Sequence, residues 1–156
     1  MAPQPTPAVL RVQAEDFDLG REQALLTRGR RDIGALVSFL GLCRDEDGAL
    51  EALELEHYPG MAEAEIRRVA NEALERWPLQ GLTVIHRFGR IQPGEQIVLV
   101  LAAARHRADA FAAAAFLMDF LKTRAPFWKK ERRADGAPGD WVSAKSEDEA
   151  AADRWR

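Results

Sequence analysis

Residues 121–133 hold six basic side chains, Lys122, Arg124, Lys129, Lys130, Arg132 and Arg133, against one acidic residue, Glu131. That is a local charge of +5 in a chain whose net charge is −3, so the remainder carries −8. A basic island on an acidic chain can focus an anionic ligand at one place. The same run also suits a solvated strand face preceded by cations at a helix C-terminus, where the helix dipole favours them. Lys122 is the more specific candidate. It follows Met118 by four residues, on the helical face of Phe111 and Ala115, so a helix here delivers an ammonium group from an apolar face at its last turn. Partial burial there would make it a usable proton donor or nucleophile. A stem that covers apolar surface while its head reaches water is the structural alternative.

Other candidates are weaker. Arg105-His106-Arg107 falls between a strand and a helix, a junction whose side chains and N–H groups suit phosphate or carboxylate; a polar strand end has the same composition. Arg44 lies in a loop, and its guanidinium suits phosphate bidentately, but Asp45, Glu46 and Asp47 beside it offer salt-bridge partners. Arg44 would also stabilise a thiolate at Cys43, although a lone cysteine is more often a small buried apolar residue. His57, His86 and His106 have no metal-ligand spacing. Gly34, Gly41, Gly89 and Gly94 form no phosphate-binding fingerprint, and there is no serine nucleophile elbow.

These residues must be positioned by one domain's worth of chain. The sequence has 156 residues, 47% hydrophobic and 30% charged, which fits a single globular unit and excludes wholesale disorder. The single cysteine excludes an intramolecular disulfide, a Cys-rich zinc site and a C-x-x-C redox pair. The longest apolar run, 110–118, is far short of the roughly 20 residues of a membrane span, and the first residues do not read as a targeting peptide. A soluble, cytoplasmic protein is expected. The expected organisation is a flexible arm over 1–7, a single catalytic domain over 8–145 and a charged C-terminal tail over 146–156. Hydrophobic periodicity predicts strands over 9–12, 33–40, 50–57, 82–88, 96–103, 127–133 and 141–144. It predicts helices from an Asp18 cap, over 62–77 and over 109–123, with a polar loop over 41–48. Glu63–Arg67 and Glu72–Arg76 are spaced as i,i+4 pairs. The 109–123 helix is apolar nearly all round, hence largely buried. The strand 96–103 is apolar on both faces and belongs at the centre of a sheet. The irregular order of elements predicts an α+β fold with a mixed or antiparallel sheet and two main helices.

Four segments together resemble a known family. They are Glu56-His57-Tyr58-Pro59-Gly60-Met61, Val84-Ile85-His86-Arg87-Phe88-Gly89, His106-Arg107, and the block from Leu121 through Lys122-Thr123-Arg124-Ala125-Pro126-Phe127-Trp128-Lys129-Lys130 to Glu131. They resemble the catalytic large subunit of molybdopterin synthase over about 33–144. The resemblance implies an α/β hammerhead fold and a homodimer that binds two small β-grasp sulfur-carrier subunits, giving a heterotetramer. It implies conversion of cyclic pyranopterin monophosphate (precursor Z) to molybdopterin, a step of molybdenum cofactor biosynthesis. The two dithiolene sulfurs come from the carrier's thiocarboxylated C-terminal Gly-Gly tail, and no metal or organic cofactor is implied. The family's essential lysine falls on Lys122 and its second important lysine on Lys129. Its substrate contacts fall on Arg44, His106, Arg107, Lys130 and Glu131, with Leu42 and Cys43 as wall positions of the loop before Arg44. A basic residue is common in the family where Leu42 stands.

The physical reading and the resemblance converge, because a phosphorylated pterin and a thiocarboxylate are both anions. A second class of function, a single-stranded nucleic-acid module, draws on Phe127 and Trp128 among basic residues; the net charge of −3 argues against it. A third, a catalytically dead scaffold for the carrier, is opposed by the presence of Lys122 and Lys129.

Overall fold

The computed structural model describes residues 8–45, 47–124, 126–135, 141–142 and 146–155. The arm expected over 1–7 and the last two residues of the strand expected over 141–144 lie outside them. In chain order the elements are β1 (Ala8–Gln13), α1 (Leu19–Thr27), β2 (Ala35–Leu42), β3 (Leu50–His57), α2 (Met61–Arg76) and β4 (Leu79–Arg87). There follow β5 (Gly89–Ile91), β6 (Gln96–Ala104), α3 (Arg107–Thr123), β7 (Phe127–Arg133), β8 (Trp141–Val142) and α4 (Ser146–Asp153). The fold is α+β. A mixed sheet has the order β1-β4-β6-β2, with β1 parallel to β4 and the other pairs antiparallel; a second, antiparallel sheet has the order β5-β3-β7-β8. β6 is central, as its apolar faces require.

The first sheet is buried on both sides. On one side Val84, Val100 and Ala102 pack under Ile66, Val69 and Ala73 of α2 and Ala113 and Leu117 of α3. On the other, Ile85, Leu99 and Leu101 meet Phe17, Leu19 and Leu26. A third cluster, Cys43, Leu50, Leu55 and Ile91, joins the second sheet to the first. The Asp18 carboxylate caps α1 by accepting the Arg21 N–H at 2.7 Å, a contact worth about 1 kcal/mol.

Several boundaries differ from expectation for local reasons. β2 begins two residues late because the backbone at Gly34 abuts Arg105. The Gly34 N–H bonds the Ala104 carbonyl at 3.0 Å, and a Cβ there would stand 2.1 Å from the Arg105 oxygen. β2 then runs on to Leu42, which pairs with Gln96, so Gly41 and Leu42 belong to the strand and not to the loop. Glu63 turns back to accept the Gly60 N–H at 2.7 Å, where the chain enters α2 with Gly60 at φ +84°; Glu72–Arg76 forms the expected ion pair at 3.1 Å. Phe111 is 61% exposed, so α3 is not apolar-buried all round. Residues 146–153 form α4, and the indole of Trp155 just beyond it packs edge-on to Trp77 and Phe116 while its N–H bonds Asp119 at 2.5 Å.

Candidate functional site

The candidate residues fall at two ends of the first sheet. β6 pairs with β2 from Ala104 opposite Ala35 to Gln96 opposite Leu42. His106 and Arg107 follow the Ala104 end. α3 then packs back along β6 and β2, so its last turn, with Lys122, reaches the Gln96 end. Arg107 and Lys122 are fifteen residues apart in one helix, an axial separation of roughly 22 Å. Arg44 leaves β2 at the Gln96 end, in the company of Lys122 and away from Arg107. Both His106 and Arg107 are exposed. Within one chain the candidate set is therefore divided.

The second sheet delivers Lys129 to the same end as Lys122. Side chains alternate across a strand, and register partners share a face. β3 and β7 pair His57 with Phe127, Leu55 with Lys129, Leu53 with Glu131 and Glu54 with Lys130. Leu55 is buried in the joint between the sheets, so Phe127, Lys129 and Glu131 leave the inner face. Lys130 and Trp128 leave the outer face. There Lys130 Nζ lies 5.8 Å from the Trp141 ring, Trp128 meets Tyr58 edge-on at 5.0 Å, and Arg132 binds Glu54 at 2.6 Å. The basic run is thus split between two faces. It offers no continuous stacking platform for nucleic acid, since the Phe127 ring is already packed against two imidazoles.

Those imidazoles are His86 and His57. His86 stacks on Phe127 with centroids 3.9 Å apart and planes 16° apart; His57 lies 5.9 Å from Phe127 on the same face and 4.3 Å from Phe88. His86 is only 4% exposed. Its Nδ1 lies 2.8 Å from the Arg87 carbonyl. A carbonyl only accepts, so Nδ1 carries the proton and the neutral ring leaves Nε2 as an acceptor. Burial, chiefly, lowers the His86 pKa from 6.5 to about 4, with Lys129, Lys122 and His57 adding repulsion against the Arg87 bond. The charges of both lysines act on this ring. Sequence reasoning treated His86 as part of a motif and as a histidine without metal-ligand spacing; the available signal was a histidine inside an otherwise apolar strand. Arg87 fixes the strand end from behind, donating to the Ala14 carbonyl at 3.1 Å and the Gln96 carbonyl at 2.8 Å.

Lys122 is exposed, so the partial burial considered for it is not found, and the residues preceding it on its face run from exposed Phe111 to buried Met118. Cys43 is 2% exposed, with Sγ 3.9 Å from the Ile91 carbonyl. Burial raises its pKa, so the thiol is a packing group of the inter-sheet core and its side chain lines no open wall. Leu42 is 53% exposed at the strand end. A charged cleft of about 210 Å³ lies elsewhere, between α2, α3 and α4. Its Arg76 is bound to Glu72 and to the Trp155 carbonyl, and of the basic run 121–133 only Arg124 lines it. Among the described residues no three His, Cys, Asp or Glu side chains converge as a metal site. No described helix is long and apolar enough to cross a membrane.

This end of the molecule carries Lys122 at the last turn of α3 and Lys129 on the inner face of β7, both within electrostatic reach of an uncharged imidazole. Comparison with known proteins identifies the family. The chain is 69% identical over 147 residues to the molybdopterin synthase catalytic subunit of Mesorhizobium japonicum, covering 94% of this chain and 92% of the relative. Its fold superposes with a TM-score of 0.81 on a molybdopterin biosynthesis MoaE protein from Burkholderia ambifaria, at 49% identity over 96% of this chain and 98% of the other. It superposes with a TM-score of 0.73 on molybdopterin synthase from Staphylococcus aureus, at 28% identity over 91% and 99%. Residues 12–124 match the MoaE protein family, and the chain belongs to that family.

Proposed function

We propose that this chain is the catalytic subunit of a molybdopterin synthase. It transfers sulfur from the thiocarboxylated C-terminus of a small carrier subunit to cyclic pyranopterin monophosphate, forming the dithiolene of molybdopterin. What carries this is the 69% identity to a molybdopterin synthase catalytic subunit over 94% of this chain, supported by Lys122 at the last turn of α3 and Lys129 on the inner face of β7. Two ammonium groups supply charge for two anionic reactants, and a preorganised cation beside developing negative charge is a major source of rate. Lys122 orients the carrier tail and moves protons as sulfur adds and oxygen leaves. Lys129 and Glu131, sharing its face of β7, and Arg44 at the same sheet end contact the pterin and its phosphate. Leu42 borders them.

His106 and Arg107 of the same chain stand too far away to join this set. The reading therefore includes a homodimer in which each site takes His106 and Arg107 from the second copy, a closed two-fold arrangement with two equivalent sites. Relatives named as a catalytic subunit imply another kind of subunit, here the small carrier, so the full assembly is a heterotetramer. The subunit uses no metal or organic cofactor of its own and works in the cytoplasm. The test is incubation of the purified chain with precursor Z and thiocarboxylated carrier. Molybdopterin is the expected product, and its absence with folded, carrier-binding protein refutes the assignment.

A further inference from the structure

α3 ends in the turn that carries Lys122, and β7 begins at Phe127, three residues after the Arg124 cap. The last carbonyls of a helix lack intrahelical partners, so such a turn frays unless something holds it. On its inner side Phe120 and Leu121 are buried in the core. On another side the hold comes from the far end of the chain. One oxygen of the Asp119 carboxylate, three residues before Lys122, accepts the Trp155 indole N–H at 2.5 Å and the Arg154 guanidinium at 3.0 Å. The Trp155 ring stands edge-on to Phe116 of α3 and to Trp77 at the end of α2, at 5.7 and 5.6 Å. Its carbonyl accepts from Arg76 of α2 at 2.9 Å. From Asp119 the hold passes into the turn itself. The Asp119 carbonyl accepts the Thr123 hydroxyl at 2.7 Å, and the Phe120 carbonyl accepts the Arg124 N–H at 2.8 Å. A chain end is ordered in this way only when it is tied down, and here the indole spends both its ring and its N–H on α3.

We propose that Trp155 and Asp119 form a latch that positions Lys122: the C-terminal end of the chain clamps the last turn of α3 against α2, and so fixes the backbone from which the lysine projects. Both are positioning residues and neither touches a reactant. The consequence for turnover rests on the sulfur-transfer reading; the hold on the turn does not.

Three substitutions in the full-length chain test the latch. W155F keeps a ring against Phe116 and Trp77 and lacks the donor. D119A removes the acceptor, and D119N keeps an oxygen that can accept the indole N–H. Amide hydrogen exchange is followed at residues 122–124 and, as the reference, at 98–102 in β6; kcat and KM for precursor Z are measured with saturating carrier. In W155F and D119A, exchange at 122–124 accelerates about tenfold or more while that in β6 changes less than twofold, the pattern of local opening. The kcat falls about five- to tenfold with KM within twofold, as expected for a group that acts through another. D119N recovers most of both. W155F combined with D119A is no worse than D119A alone, because the two remove one shared contact. Unchanged exchange at 122–124, or acceleration spread equally into β6, overturns the proposal, and so does a D119N variant as impaired as D119A. A wild-type kcat in variants whose last turn has loosened overturns the positioning of Lys122. If the wild-type chain yields no molybdopterin, the sulfur-transfer reading fails and exchange at 122–124 alone decides the latch. If D119A does not fold, W155F decides it by the same two readouts.

Discussion

Lys129 and Lys130 are neighbours in sequence and leave opposite faces of β7, one opposite buried Leu55 and the other opposite Glu54. Only Lys129 shares a face with Phe127 and the His86 ring. Alanine at 129 is therefore expected to lower molybdopterin formation by about 10²–10⁴-fold, the range for a lost proton-transfer or positioned charged group. Alanine at 130 removes a cation resting on Trp141, and turnover is expected to fall less than about tenfold, the equivalent of roughly 1.4 kcal/mol. Comparable losses in the two variants, measured at saturating carrier, would show that the two faces are not functionally distinct.

Lys122 is exposed at the last turn of α3. Its replacement by alanine deletes no core contact, so the melting temperature should stay within about 2 °C of wild type, in line with the small effect of surface substitutions. Turnover should fall by about 10²–10⁴-fold. Thermal unfolding and product yield on one preparation check both halves, and a destabilised protein with proportionately lower yield would assign Lys122 to the scaffold instead.

Cys43 lies in the core between the sheets, its thiol pKa raised by burial. A sulfurtransferase that carried its own sulfur as a persulfide would need an accessible, acidified thiol. Cys43→Ala is expected to retain most activity with thiocarboxylated carrier, and to cost roughly 1–2 kcal/mol of stability through the small cavity left behind. Native protein should react with a thiol reagent only as fast as it opens. Loss of turnover to the level of the Lys122 variant, with folding intact, would move the sulfur onto this chain.

The neutral, buried His86 makes stability depend on pH in a defined window. The folded ring titrates near 4 and an unfolded histidine near 6.5. Between those values the unfolded chain binds a proton that the folded chain does not, so stability is full above about 6.5 and falls as pH drops toward 4. Urea unfolding at pH 7 and pH 5 should differ by about 2 kcal/mol from this group. Asp16, whose carboxylate is held low chiefly by Gln96, and Glu54, held low by Arg132, lose their contribution only in more acidic solution. The difference between pH 7 and pH 5 should shrink in H86F, and an undiminished difference would assign it to other groups.

Much of this was legible in the sequence. β3 and β7 occupy their expected spans, because alternating side chains and flanking Gly and Pro define such strands locally. Lys122 stood out by charge and spacing, and Lys129 by the family resemblance, within the basic run. The start of β2 was not legible, since it depends on the Gly34 backbone meeting Arg105, a contact across the fold. Nor was the separation of Lys129 from Lys130, which needs the β3–β7 register. The opposite placement of Arg107 and Lys122 follows from helix length alone, but only once both are known to lie in one unbroken helix. His86 was hidden for another reason: its neighbours Phe127, His57 and the two lysines come from three other elements.

The claim that one site draws on two copies of the chain has a direct test. Lys122→Ala and Arg107→Ala are each expected to lose most activity when expressed alone. In a mixed dimer one of the two sites receives Lys122 from the second chain and Arg107 from the first, and is intact. Random pairing puts half of the chains in mixed dimers, so co-expression of the two variants should restore about one quarter of wild-type molybdopterin formation. If the co-expressed pair yields no more than the average of the two separate variants, while mixed dimers are demonstrably present, Arg107 does not act across the dimer and the two-copy site is wrong.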